Sequence, residues 1–252
     1  MSAPLLRWPP LPSSPALQAG EVLLVCAPLD LPAPLLTSLR LTLDPEERAR
    51  ADRFYTAELQ GRFTAGRGLL RRLLGEATAT APAALRFRYG HQGKPELDPA
   101  GPGGGAGVSF NASHSQGLAL FALARGVVLG VDVEAIRGRR SDEVADRFFH
   151  PDESAWLRSL PDAARQESFY AIWCAKEAFI KATGNGLSQG LASFKFALGP
   201  AGPERLGWTA DEPGGPDRWA LHVLDPAEEF RAALVTEGRG LRTRCFSWRP
   251  QA

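Results

Sequence analysis

Residues 108–136, VSFNASHSQGLALFALARGVVLGVDVEAI, constrain the chain more than any other stretch. Two apolar runs, LALFALA at 118–124 and VVLGVDV at 127–133, flank Arg125 and Gly126. Short apolar runs bounded by turn residues read as buried strands. Gly126 can supply the positive φ that a tight turn needs, so the pattern predicts a β-hairpin with its tip at Arg125-Gly126. In an antiparallel hairpin the start of one strand lies beside the end of the other, which would set Ser113 and His114 near Asp132 and Glu134. Side chains alternate along a strand, so Asp132 and Glu134 point to one side and Val133 to the other.

The rest of the chain alternates helical and extended patterns. After a proline-rich start comes EVLLVCAPL, a buried strand, and then DPEERARADRF, with Asp44 as N-cap, Pro45 at the first helical position and acidic residues in the first turn. ELQGRFTAGRGLLRRLLGEAT continues with Phe63, Leu69, Leu70, Leu73 and Leu74 at helical spacing, although glycines weaken it. LRFRYG, HQGKPEL and the flexible DPAGPGGGAG follow. SDEVADRFFHPDESAWLRSL gives two helices broken near His150-Pro151, and a longer helix spans about residues 166–183, ending at Gly184. FKFALGPAGPERL resembles FRYGHQGKPEL in composition and in its place after a long helix, and WALHVL, FRAALV and RTRCFSW are further strands. These patterns suggest two structurally similar halves, joined near residues 136–142. The expected division is a proline-rich segment at 1–20, an N-terminal half at 21–136 and a C-terminal half at 137–252.

Composition excludes several classes. With 29 basic and 28 acidic side chains among 252 residues, no overall field draws the chain to nucleic acid or to an anionic membrane. The three cysteines, Cys26, Cys174 and Cys245, are far apart and lack metal-ligand spacing, which points away from a disulfide framework or a zinc site and toward a reducing cytoplasm. The apolar stretch at 117–133 is interrupted and too short to span a bilayer, and the start of the chain lacks the continuous apolar core of a signal peptide. GPGGGAG lacks the Gly-Lys-Ser/Thr ending of a phosphate loop, and Ser113-His114-Ser115 has no nucleophile elbow around it. The other histidines, His91, His150 and His222, are expected to be structural.

Two groups of side chains carry chemistry. In AIWCAKEAFIKATGNGL (171–187), Glu177 and Lys181 share a helix face, with Trp173 one turn earlier. They could form a surface ion pair beside a core tryptophan. Asp132 and Glu134 could be no more than a polar strand end. Together, however, Asp132, Glu134 and Glu177 supply three hard oxygen ligands, a set suited to Mg²⁺ that leaves room for a substrate phosphate. Lys176 and Lys181, with Lys94, Arg50 and His114 from elsewhere, could meet those phosphates. The arginines at 48–72 form either a solvated helix face or a further phosphate contact.

In their order and spacing, GKP (93–95), FNASHS (110–115), GVDVE (130–134), RFF (147–149) and WCAKEAFIKATGNGL (173–187) resemble the 4′-phosphopantetheinyl transferases. The length resembles the monomeric, two-half Sfp type, the surfactin synthetase activating type. The resemblance implies a pseudo-twofold α+β fold, with each half holding a small antiparallel sheet and packed helices and the active site where the halves meet. It implies transfer of the 4′-phosphopantetheine arm of coenzyme A to a serine of an apo acyl or peptidyl carrier protein, with release of 3′,5′-ADP. By motif position, Asp132, Glu134 and Glu177 are the expected Mg²⁺ ligands, and Lys181 and Lys176 the contacts to the diphosphate. Ser113, His114 and Arg50 fall where the family meets the 3′-phosphate, and Gly93, Lys94 and Pro95 line the adenine side. Glu177, directly or through a metal-bound water, is the expected base, with Lys181 stabilising the transition state. The sequence departs from the pattern at Glu47, where some members carry a basic residue. The alternatives are a non-catalytic coenzyme A-binding regulator and a Mg²⁺-dependent nucleotide pyrophosphate hydrolase.

Overall fold

A strand buried on both faces and lying inside a sheet needs a partner on each side, and residues 118–125 have two. The computed structural model describes residues 4–13, 15–90, 92–137, 141–210 and 214–250; His91 and part of the expected joining segment lie outside them. Along the chain come β1 (Glu21–Pro28), α1 (Ala33–Arg40), α2 (Pro45–Asp52), α3 (Ala57–Thr78), β2 (Phe87–Tyr89), β3 (Pro95–Leu97), β4 (Val108–Ser115) and β5 (Leu118–Arg125). Next are β6 (Leu129–Ala135), α4 (Ser141–Phe148), α5 (Pro151–Ser159), α6 (Asp162–Thr183), β7 (Phe194–Gly199) and β8 (Gly202–Thr209). The last elements are β9 (Trp219–Leu224), β10 (Phe230–Glu237) and β11 (Arg242–Ser247). They form two compact units, residues 1–126 with 242–252, and residues 127–241.

In the first unit the sheet order is β11-β1-β5-β4. β5 pairs antiparallel with both β1 and β4, and the β4–β5 turn uses Gln116 and Gly117, both at positive φ. The hairpin expected at Arg125-Gly126 is therefore corrected. Both edges of β5 are taken, and β6 pairs instead with β10 in the other unit. β11 runs parallel to β1, so residues 242–252 belong with the first unit rather than with the second half of the chain. The proline-rich start is fastened to the same strand: the Leu11 N–H donates to Ser247 O at 2.8 Å, and Ser247 Oγ donates to Trp8 O at 2.9 Å. α2 opens with the expected Asp44 cap, closed into a box by Glu47 at 2.9 and 3.1 Å. The helix glycines serve packing as well as weakening α3, since a Cβ on Gly68 would stand 2.8 Å from that of Leu39.

The second unit holds the sheet β6-β10-β9 and the hairpin β7–β8, with α6 lying on the sheet. The two segments alike in composition take the same form: β2–β3 and β7–β8 are each a two-stranded antiparallel sheet, and each follows a 22-residue helix, α3 or α6. A buried ion pair anchors α6. Lys176 Nζ lies 2.7 Å from Glu153 Oε2 and donates to Leu191 O and Phe194 O at 2.8 and 2.9 Å, and both charged side chains are 0% exposed. The ammonium also sits 4.4 Å from the Phe194 ring centroid. Glu153 Oε1 accepts the Phe196 N–H at 2.9 Å, so one carboxylate ties α5, α6 and β7 together. Burial pulls the Lys176 pKa down to about 8 against the opposing pull of Glu153. Lys176 was expected to meet phosphate; its three donors are instead spent inside the core.

Removing one partner of a buried pair strands the other charge. Glu153→Ala should cost about 3–5 kcal/mol in chemical denaturation, and a Glu153→Met/Lys176→Met double variant should recover most of that loss.

Candidate active site

The acidic group of the second unit is built on a backbone contact. A Cβ on Gly130 would stand 2.1 Å from Ala178 O and 2.4 Å from Ala182 N, so only glycine lets β6 touch the backbone of α6. Gly130 thus faces α6, and by the strand's alternation Asp132 and Glu134 face it too, while Val131 and Val133 are fully buried on the other side. On α6, Glu177 and Lys181 are one turn apart. Lys181 Nζ lies 2.6 Å from Asp132 Oδ1, with the carboxylate 3% and the lysine 28% exposed.

Electrostatics report the same crowding. The Glu177 carboxyl is pushed above its ordinary pKa, first by burial and then by the charge of Asp132, with Lys181 opposing. The buried Cys174 thiol, one turn before Glu177, is raised by burial and by the charges of both Asp132 and Glu134. Trp173 turns away into an aromatic cluster with Phe149 and Phe169, at ring distances of 6.2 and 5.9 Å. It packs against the core, as a core tryptophan would, rather than beside Glu177 and Lys181. Among the described residues no group of three or more His, Cys, Asp or Glu side chains stands close enough to hold a metal ion, and the Lys181 ammonium takes up Asp132 Oδ1. The donor chemistry nevertheless fits a hard divalent cation. Asp132 meets the Lys181 ammonium, the charge of Asp132 reaches Glu177, and the charges of Asp132 and Glu134 both reach Cys174, so hard oxygen donors converge on this part of α6.

The second group lies in the first unit, where a cavity of about 620 Å³ is lined by Arg50, Pro95, Ser113 and His114 among others. Ala112 through Gly117 all line it in succession, which alternation alone cannot give; the cavity follows the end of β4 and the turn after it. Ser113 is buried and His114 exposed. Gly93 and Pro95 line the cavity while Lys94 between them does not, and burial lowers the Lys94 pKa against the pull of Glu96.

The arginines of this wall are not equivalent. Arg62 is committed to Asp30 at 2.6 Å and Glu58 at 2.7 Å. Arg67 is committed to Glu47 at 2.8 Å. Arg50 is exposed, lies 5.2 Å from the Phe63 ring centroid, and has no carboxylate partner among the described residues. Glu47, the departure from the family pattern, faces inward at 5% exposure and holds Arg67 and Arg71, so it cannot act on an anion.

Sequence reasoning missed the apolar and aromatic part of this wall, Phe54, Leu59, Phe63 and Tyr89. The signal was present, because Leu59, Phe63, Gly66 and Leu70 repeat at helical spacing along α3 and all line the cavity.

Comparison with known proteins agrees with this chemistry. Residues 128–235 match the family model described as the 4′-phosphopantetheinyl transferase superfamily. The 4′-phosphopantetheinyl transferase HetI of Nostoc sp. (strain PCC 7120 / SAG 25.82 / UTEX 2576) is 40% identical over 245 residues, covering 97% of this chain and 96% of that protein. A 4′-phosphopantetheinyl transferase of Bacillus subtilis is 32% identical over 189 residues, or 75% of this chain and 80% of the relative. The 4′-phosphopantetheinyl transferase Sfp of Bacillus subtilis (strain 168) is 33% identical over 156 residues, or 62% and 66%. With similarity to HetI running through nearly the whole of both sequences, and the acidic and cavity-lining motifs in place, this chain belongs to the 4′-phosphopantetheinyl transferase superfamily.

Proposed function

We propose that this transferase acts on coenzyme A with Mg²⁺, that Asp132, Glu134 and Glu177 serve the diphosphate, and that the cavity of the first unit takes the nucleotide end. The reaction moves 4′-phosphopantetheine to a serine of an apo acyl or peptidyl carrier protein. The observation that carries the assignment of roles is the Glu177 carboxyl, which crowds Asp132 beside Lys181 on a helix packed directly against the strand.

The carrier serine oxygen forms a bond to the phosphorus that bears pantetheine, the bond from that phosphorus to the bridging oxygen breaks, and 3′,5′-ADP leaves with the electron pair. The serine proton passes to the Glu177 carboxylate. In the metal-free site, burial and the neighbouring Asp132 raise the affinity of that carboxylate for a proton. Lys181, part-exposed and mobile about its long stem, turns from Asp132 to the phosphate oxygens and stabilises the charge that develops there. Mg²⁺, when bound by Asp132, Glu134 and Glu177, would neutralise the leaving phosphate. At the nucleotide end, Arg50 and His114 meet the 3′-phosphate with Ser113 beside them, and the segment Gly93–Pro95 faces adenine. The net charge of +1 and three free cysteines support a cytoplasmic setting. No helix among the described residues is long and apolar enough to cross a membrane. We read the chain as a monomer.

The reading is tested by incubation with coenzyme A, Mg²⁺ and an apo carrier, which should add the mass of phosphopantetheine to the carrier. Glu177→Gln should lower that rate about 100-fold or more while leaving the circular dichroism and melting temperature intact; 3′,5′-ADP release without a carrier would favour hydrolysis instead. The raised pKa of Glu177 also has a sign. At mildly acidic pH the free carboxyl holds a proton longer than an ordinary glutamate, so Mg²⁺ binding should release protons, and Glu177→Gln should abolish the release. Calorimetry in buffers of different ionisation enthalpy reads this directly. Arg50→Ala should raise the KM for coenzyme A about tenfold and erase the preference for coenzyme A over 3′-dephospho-coenzyme A in competition assays.

A further inference from the structure

The cavity of the first unit has a wall that its own strands cannot hold. β2 and β3 are three residues each and, among the described residues, form a two-stranded sheet of their own, and an isolated two-stranded ribbon is marginal in water. Yet this ribbon supplies Tyr89, Gly93 and Pro95 to the cavity. Tyr89 ends β2 with its side chain 52% exposed, so burial alone does not fix it.

A polar chain reaches it from two helices. Glu47 of α2, buried at the helix start, places Oε1 2.8 Å from Arg67 Nε of α3. The Arg67 guanidinium lies 4.8 Å from the Phe87 ring centroid and donates to the Tyr89 hydroxyl at 2.5 Å. Arg67 is 10% exposed, and the same carboxylate of Glu47 is held from its other oxygen by Arg71 at 2.6 Å. Arg71 is itself spent on Asp44 and on the carbonyls of Pro82 and Leu85, so it locks the anchor without entering the cavity. Arg67 is thus neutralised by Glu47 through an ion contact, and its guanidinium is held over Phe87 and against the Tyr89 hydroxyl. A planar guanidinium can hold a carboxylate and a phenol in two directions at once, which an ammonium cannot.

We propose that Arg67 is a positioning residue: anchored on Glu47, it fixes Tyr89 and with it the β2–β3 wall against which the nucleotide end of coenzyme A lies. The inference rests on the nucleotide reading of this cavity. Arg67 acts through Tyr89 rather than by binding phosphate, so substitutions along the chain weaken the same thing by the same amount.

The probe is 3′,5′-ADP, with 5′-AMP as its control, titrated calorimetrically into the full chain. Arg67→Gln and Tyr89→Phe should each weaken 3′,5′-ADP binding about five- to tenfold, the scale of one ordinary hydrogen bond, and the double variant should lose no more than the worse single. Arg67→Lys should not rescue binding. In turnover, the KM for coenzyme A should rise by the same factor with kcat changing far less. Tyr89→Phe removes a single hydroxyl and keeps the test open if Arg67→Gln fails to fold. Wild-type affinity in Arg67→Gln, or losses that simply add, would overturn the positioning role, as would an Arg67→Gln loss that Tyr89→Phe does not share. If the unaltered chain binds 3′,5′-ADP no better than 5′-AMP, the nucleotide reading itself falls.

Discussion

The contact on which the acidic site depends is backbone against backbone. With any side chain at position 130, β6 could not lie against α6, and the distance between strand and helix would grow by the thickness of a methyl group or more. Asp132 reaches Lys181 only because that thickness is missing. The same closeness forces carboxylates from two elements into one low-dielectric region and raises the proton affinity of Glu177. Packing at one glycine thereby sets electrostatics a helical turn away.

Much of this was legible in the sequence. Helix starts at Asp44-Pro45 and the stop at Gly184 follow from capping chemistry, and the period of the strand correctly put Asp132 and Glu134 on one side. The hairpin at Arg125-Gly126 was misread for a physical reason. Gly126 does adopt a positive φ, at +62°, but a turn residue says only that the chain bends and not which strands then pair. The stronger hint lay at Gln116-Gly117, and the entirely apolar run after it needed partners on both edges, which a single hairpin cannot supply. Likewise, spacing placed Lys176 beside Glu177 but could not say which side of α6 met the core. Glu153, its partner 23 positions away in the chain, carries no local signal of that pairing.

Charge is distributed by commitment rather than by count. The stretch from Arg48 to Arg72 is rich in arginine, yet among the cavity-lining ones Arg62 and Arg67 are already neutralised, and Arg71 behind them is fully buried. That leaves Arg50, near Phe63 at the exposed edge, as the cavity-lining arginine without a carboxylate partner among the described residues. Glu47 makes the same point in reverse. An acid where the family resemblance suggested a base loses its repulsive effect on a phosphate once two guanidinium groups cover it.

The parallel pairing of β11 with β1 has a consequence for biosynthesis. Residues 21–28 leave the ribosome early, but their partner on one edge is made more than two hundred residues later, after the whole of 127–241 has been translated. Until then β1 keeps an open hydrogen-bonding rim, the sort of rim that invites association with other nascent chains. Within residues 127–241, β6, β10 and β9 pair side by side and β7 pairs with β8, so these pairings can form on the translating ribosome while the unit begun first is completed last.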